Sequence, residues 1–246
     1  MSVTAARGFE ASGVHAGLRK AAPDLALVRS VERSVGAALF TVNRVQAAPV
    51  VISKRALAAA DPQAVVINSA VANAATGAEG ERAAEATAGR AAELLGIEPE
   101  QVLVLSTGVI GVPLPLAKVL AGLETAAAEL SPSGGAAAAH AILTTDTHAK
   151  QASVTGDGFS VGGMAKGAGM IHPCLATMLA VLTTDYALGA DEADAFLRAA
   201  VAESFNAISV DGECSTNDTV VLLANGASGI DRTYETDGLR LSGVLV

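Results

Sequence analysis

Short runs rich in valine, leucine and isoleucine alternate along this chain with alanine-rich stretches whose apolar positions recur every three or four residues. That alternation points to a layered α/β fold, because each strand and each helix presents an apolar face that only another layer covers. Residues 25–29, 37–42, 49–53, 65–68, 102–105, 159–164, 178–183, 207–210 and 219–224 read as strands. Residues 79–95 carry apolar positions at helical spacing with Glu and Arg on the opposite face, and Gly96 follows as a C-terminal cap. Residues 116–130, 136–143 and 191–205 read as three more helices. No repeat or linker divides the chain, apart from the loop Ser131-Pro132-Ser133-Gly134-Gly135. We therefore expect one domain over residues 1–227 and a tail, 228–246, with no assigned place.

With 51% hydrophobic residues but 3% aromatic and no tryptophan, a chain of 246 residues must build its core from Ala, Val, Leu and Ile, with backbones packed closely. A formal charge of −9 argues against nucleic acid or an anionic membrane as partner, since binding either draws on clustered Lys and Arg. A small-molecule substrate is expected instead. No stretch has the length of a membrane span and the N-terminus lacks a signal peptide's apolar core, so we expect a cytoplasmic protein. Cys174 and Cys214 are too few for a disulfide framework, and His15, His140, His148 and His172 show no ligand spacing. No metal and no bound cofactor are expected.

Residues 166–186 join a glycine-rich turn, Lys166-Gly167-Ala168-Gly169, to Pro173 and the pair Ala176-Thr177, and then run into an apolar strand. This layout suits a chain that cuts itself before Thr177. Glycine tolerates dihedrals that strain other residues, and Ala176 gives little steric cover to its own carbonyl. Attack by the Thr177 hydroxyl would shift the peptide to an ester and release an N-terminal threonine. Such a threonine carries its own base, an α-amine of pKa about 7.7–8.0, beside the hydroxyl it must deprotonate. A β-branched residue that merely opens a buried strand satisfies the same local pattern. His172 is incidental, because an N-terminal threonine needs no separate base.

Several motifs occur in order: Asn68-Ser-Ala-Val-Ala-Asn73-Ala-Ala-Thr76-Gly77, Ser106-Thr107-Gly108-Val109-Ile110-Gly111, Thr144-Thr145-Asp146-Thr147, Lys166-Gly-x-Gly-Met with Ala176-Thr177, and Ser215-Thr216-Asn217-Asp218. Jointly, over roughly residues 5–228, they resemble the ornithine acetyltransferase family, the bifunctional glutamate N-acetyltransferases and amino-acid acetyltransferases of arginine biosynthesis. The resemblance implies a layered α/β sandwich shared with the β-aminopeptidases. It also implies acetyl transfer from N-acetylornithine to glutamate through an acetyl ester on Thr177, with acetyl-CoA as a further donor in bifunctional members. A precursor cut between Ala176 and Thr177 would give an α chain, 1–176, and a β chain starting at 177, paired as an α2β2 heterotetramer.

On this resemblance Thr107 and Gly108 form the oxyanion site, where an isolated Thr-Gly would read as a plain turn. Lys166 holds a substrate carboxylate, in place of a solvated surface lysine. Thr144 contacts substrate, though a helix-to-loop cap would use the same residue. Asn73, Asn217 and Asp218 fit polar supports and turns equally. The chain departs from the family at Ala70 and Val71, where Gly and Asn are usual, and His172, Cys174 and Cys214 are unusual. Its last stretch, 231–246, does not resemble the family, so we expect the C-terminal part to be missing, with the substrate-binding glutamate and the asparagine it carries. Two other readings follow: an amidohydrolase or aminopeptidase of the same fold, or a truncated, inactive homologue.

Overall fold

A computed structural model describes residues 2–170 and 178–230. Two sheets lie face to face. The first has the order β1 (Phe9–Val14), β2 (Leu25–Ser30), β4 (Ala64–Asn68), β5 (Val102–Ser106), antiparallel except for the parallel β4–β5 pair. The second runs β3 (Val35–Phe40), β9 (Thr219–Ala224), β8 (Leu179–Thr184), β7 (Ser160–Lys166), β6 (Lys150–Thr155), antiparallel except for the parallel β8–β9 pair.

The strands read as continuous apolar runs because the central ones are covered on both faces. Ala26, Val28, Val65, Ile67, Leu103 and Leu105 of the first sheet meet Leu179, Val181, Val221 and Leu223 of the second. The alternate residues, Leu25, Leu27, Val66 and Val104, pack against the helices α2 (Gly77–Leu95) and α3 (Leu116–Ala128). On the far side Ala180, Val220 and Leu222 pack against α5 (Ala190–Glu203) through Ala193, Leu197 and Val201. Each fully buried Val, Leu or Ile contributes about 1.5–3 kcal/mol of transfer free energy, and with few aromatics available the core consists of many such small contributions. The helix α4 (Gly135–Ala141) packs onto β1 closely enough that a Cβ on Gly13 would strike the Ala137 carbonyl. The expected layered α/β sandwich is thus observed.

Four elements depart from the sequence expectations. Residues 49–53 are not a strand but part of the helix α1 (Ala48–Ala59). Pro49 sits in its first turn, where the missing N–H costs no hydrogen bond, and the β-branched run Val50-Val51-Ile52 is carried on by the helix formers Lys54-Arg55-Ala56-Leu57. Residues 207–210 are not a strand either: a 3-10 turn, Phe205–Ala207, leads into exposed irregular chain with Ile208 and Val210 facing solvent. Conversely β1 and β6 were not expected. β1 contains Glu10, Ser12 and Gly13, and β6 is a polar edge strand, so neither shows an apolar run. Gly96 does cap α2, with a φ of 68°.

Candidate active site

Where β5 ends, the chain turns through Thr107 and Gly108 and is stitched to the segment after β4. The Thr107 N–H donates to the Asn68 carbonyl at 3.0 Å, the Val109 N–H to the Ala70 carbonyl at 3.0 Å, and the Ala72 N–H to the Val109 carbonyl at 3.0 Å. Gly108 holds a φ of 135°. Any Cβ there would collide with the Ala70 carbonyl, so this position requires glycine both for its dihedral and for the close approach. The Gly108 N–H donates to no described group and lies in the wall of an open cleft.

Underneath, side chains hold the turn. Asn68 donates to the Val71 carbonyl at 2.8 Å and accepts from Ser106 Oγ at 2.6 Å. The buried Asn217, which precedes β9 in the other sheet, donates to the carbonyls of Ala72 at 2.7 Å and Ser106 at 2.9 Å. Asn217 therefore joins the sheets beneath the Thr107–Gly108 turn. Asn73 instead donates to the Gly80 carbonyl and accepts from Thr76 Oγ1, an arrangement that secures the start of α2.

Lys166 ends β7 with 2% of its surface exposed, and its Nζ donates to Thr107 Oγ1 at 3.1 Å. Burial lowers its pKa below the usual lysine value, against the opposing pull of the Asp146 and Asp218 carboxylates. Asp146 ties the neighbouring loop to the strand end: its carboxylate accepts from Lys150 Nζ at 2.5 Å, the Gly167 N–H at 2.8 Å and the Thr144 N–H at 3.2 Å. Burial alone would raise its pKa, but these hydrogen bonds and the Lys166 charge outweigh that and hold it at about 2. The motif Thr144-Thr145-Asp146-Thr147 assigns Asp146 no role of its own. The sequence signal for it is Lys150, four residues on, its ion-pair partner.

The cleft has a volume of about 580 Å³, and its wall includes Thr107, Gly108, Thr144 and Lys166, so these four expected site residues come together. Arg19 lines the same cleft and was missed, since nothing in its local sequence distinguishes it from a surface arginine. Ala176 and Thr177, the expected cleavage pair with the nucleophile, lie outside the described residues, as do His172 and Cys174. The chain is described again at Met178, whose N–H donates to Asp218 Oδ1 at 3.0 Å, and Leu179 pairs with Lys166 in the β7–β8 ladder. Asp218 therefore anchors the residue that follows Thr177. Among the described residues no group of His, Cys, Asp or Glu is placed to hold a metal ion, and no helix is long and apolar enough to cross a membrane.

Two sheets between helical layers define a layered α/β protein, an architecture that known structures share. The L-aminopeptidase D-Ala-esterase/amidase from Ochrobactrum anthropi, described as a variant of the Ntn hydrolase fold, superposes with a TM-score of 0.55 over 99% of this chain and 83% of its own, at 12% identity, a likeness of fold alone. The chain belongs to the ArgJ family, whose profile matches residues 10–244, including the stretch after Ala227. It is 52% identical over 237 residues to the arginine biosynthesis bifunctional protein ArgJ of Streptomyces coelicolor, covering 96% of this chain and 62% of that protein. The crystal structure of ornithine acetyltransferase from Mycobacterium tuberculosis, complexed with ornithine, is 41% identical with a TM-score of 0.68, covering 72% of this chain and 96% of that one. This chain thus spans somewhat under two thirds of the curated relative's length.

Proposed function

We propose that this chain catalyses acetyl transfer from N2-acetylornithine to glutamate in arginine biosynthesis, through an acetyl ester on Thr177, with acetyl-CoA as a second donor. The observation that supports it most is the convergence of Lys166 Nζ on Thr107 Oγ1 at 3.1 Å in a cleft that Gly108 and Thr144 also line. Because Lys166 donates to the Thr107 oxygen, the hydroxyl hydrogen is left to point elsewhere. Together with the Gly108 N–H it supplies two donors for one oxyanion, each typically worth about 10²–10³ in kcat.

In the first half-reaction Thr177 Oγ bonds to the acetyl carbon and its proton passes to the Thr177 α-amine. The tetrahedral oxyanion collapses, the C–N bond to ornithine breaks, and the α-amine returns the proton to the departing amine. In the second, the unprotonated amine of glutamate bonds to the ester carbon and gives up one proton to the Thr177 α-amine, the C–Oγ bond breaks, and the α-amine passes that proton to the departing Thr177 Oγ. The same oxyanion donors serve both steps. The α-amine exists only after a cut between Ala176 and Thr177, so maturation into two chains, assembled as α2β2, is part of the proposal.

Purified protein is expected to consist of two pieces divided between Ala176 and Thr177 by intact mass, and to move acetyl from N-acetylornithine to glutamate while releasing little acetate when glutamate is omitted. Acetate release at the transfer rate without glutamate would make it an amidohydrolase. A Thr177→Ala variant that is still cut would remove Thr177 from the chemistry.

A further inference from the structure

The cleft holds a second cation that the reaction above leaves unused. Arg19 lies in the loop between β1 and β2, a different part of the chain from Lys166, yet lines the same cavity. Its backbone is fixed at the cleft, which leaves the guanidinium to reach a ligand from a set origin. The fully buried Asp24 carboxylate accepts the Arg19 N–H at 2.7 Å and the Ala16 N–H at 2.6 Å, and the Asp24 carbonyl accepts the Ser69 N–H at 2.9 Å. This knot ties the Arg19 loop to the strand end beside Thr107. Among the described residues the Arg19 guanidinium makes no hydrogen bond and no ion pair.

Lys166 has the Asp146 and Asp218 carboxylates near it, which outweigh the small opposing effect of the Arg19 charge, and Asp211, also in the cavity wall, accepts the Met170 N–H at 2.6 Å. Arg19 is thus the cation of this cavity whose guanidinium is left to pair with an incoming anion. Lys166 is at the reacting end, hydrogen-bonded to Thr107, where the α-carboxylate of an amino acid reaches, two bonds from the nitrogen that gains or loses acetyl. Glutamate brings a second carboxylate at its far end, and a guanidinium fork is the group that pairs with a carboxylate through two parallel hydrogen bonds. N-acetylornithine ends instead in an ammonium, which gains nothing from Arg19.

We infer that Arg19 is a specificity-determining residue that binds the side-chain carboxylate of the glutamate acceptor. This rests on the acetyl-transfer reading above and names one subsite within it. It makes Arg19 matter in the second half-reaction and not in the first.

The test compares the full chain with Arg19→Gln and Arg19→Lys, using N-acetylornithine as donor and either glutamate or its neutral isostere glutamine as acceptor. In Arg19→Gln the KM for glutamate is expected to rise roughly 10- to 100-fold, as for loss of a charged hydrogen-bonded pair. The preference for glutamate over glutamine collapses to near one, kcat and the KM for N-acetylornithine stay close to the parent's, and Arg19→Lys restores part of the preference. Equal weakening of glutamate and glutamine would move Arg19 to the α-carboxylate, and an unchanged preference would remove it from recognition; either overturns the inference while leaving acetyl transfer standing. If the parent transfers acetyl to neither acceptor, the acetyl-transfer reading fails, and calorimetric titration of parent and variants with glutamate and glutamine measures the same preference directly. A parent that binds both alike, or neither, overturns the inference as well.

Discussion

Ala70 holds a φ of 80°, a conformation that L residues other than glycine seldom adopt, and it does so in contact with Gly108. The resemblance already marks this position as one where glycine is usual. An alanine in the left-handed region carries about 1–2 kcal/mol of strain, partly offset by the larger unfolded-state entropy glycine would bring. Ala70→Gly is therefore expected to stabilise the protein by about 0.5–1 kcal/mol in urea unfolding. Gly108→Ala is expected to destabilise it and to stop acetyl transfer, because the added methyl meets the Ala70 carbonyl. Opposite signs at two touching positions would show that the turn is strained at Ala70 and relaxed at Gly108. Asp146 makes a pH-dependent contribution. Its pKa is about 2 in the folded chain against an ordinary 3.8, so its stabilisation is complete above the ordinary value and is lost as pH falls through the folded one. Allowing for partial solvent screening, the parent is expected to exceed Asp146→Asn by about 1–2 kcal/mol near neutrality. That difference should shrink from about pH 4 downward and nearly vanish below about pH 2, as read by denaturation at a series of pH values.

At the scale of elements, β5 is the edge of the first sheet, with half its backbone groups turned away from β4. An uncovered edge invites pairing with other chains, and α1 covers it. Ser53 Oγ accepts the Val104 N–H at 2.8 Å and donates to the Val104 carbonyl at 2.8 Å, supplying from one hydroxyl what a neighbouring strand would have supplied. Ser53→Ala leaves both groups buried and unmet and is expected to cost about 1–3 kcal/mol, with hydrogen exchange at the Val104 amide accelerated more than at Leu103. This covering role also explains why residues 49–53 mislead. A run with Val50-Val51-Ile52 resembles a strand, and only its place against β5 and Pro49 in its first turn make it helical. The strands that lie between layers, β2, β4, β5, β8 and β9, were legible because both faces are apolar. β1 and β6 were not, since one admits α4 through Gly13 and the other is exposed at the sheet edge. In the site, Thr107, Gly108, Thr144 and Lys166 were recognisable from their motifs and do converge. Arg19 and the hub role of Asp146 depend on contacts across the fold, which no local pattern records.

For the whole molecule, sheet order is the least local property. β3 follows β2 in the chain yet joins the other sheet beside β9, near the far end of the described residues. The apolar core between the sheets holds the layers together without direction, since apolar contact fixes area more than alignment. Alignment at the cleft comes from Asn217, whose amide reaches from the approach to β9 to the carbonyls of Ser106 and Ala72. The residue after it, Asp218, holds the Met178 N–H, so the same two positions orient the Thr107–Gly108 turn and the start of β8 relative to each other. Asn217→Ala removes two hydrogen bonds from buried carbonyls and is expected to cost about 1–3 kcal/mol. The loss should not stop at stability. With the turn no longer registered against β8, kcat for acetyl transfer is expected to fall by about tenfold or more while KM changes less, because geometry at an oxyanion is felt mainly in the transition state. Amide exchange at residues 107–109 should rise in step. Asn217→Asp, which presents only acceptors to two carbonyls, should be at least as damaging as Asn217→Ala. A variant that loses stability but keeps the parent's kcat would show that Asn217 holds the sheets together without setting the geometry of the cleft.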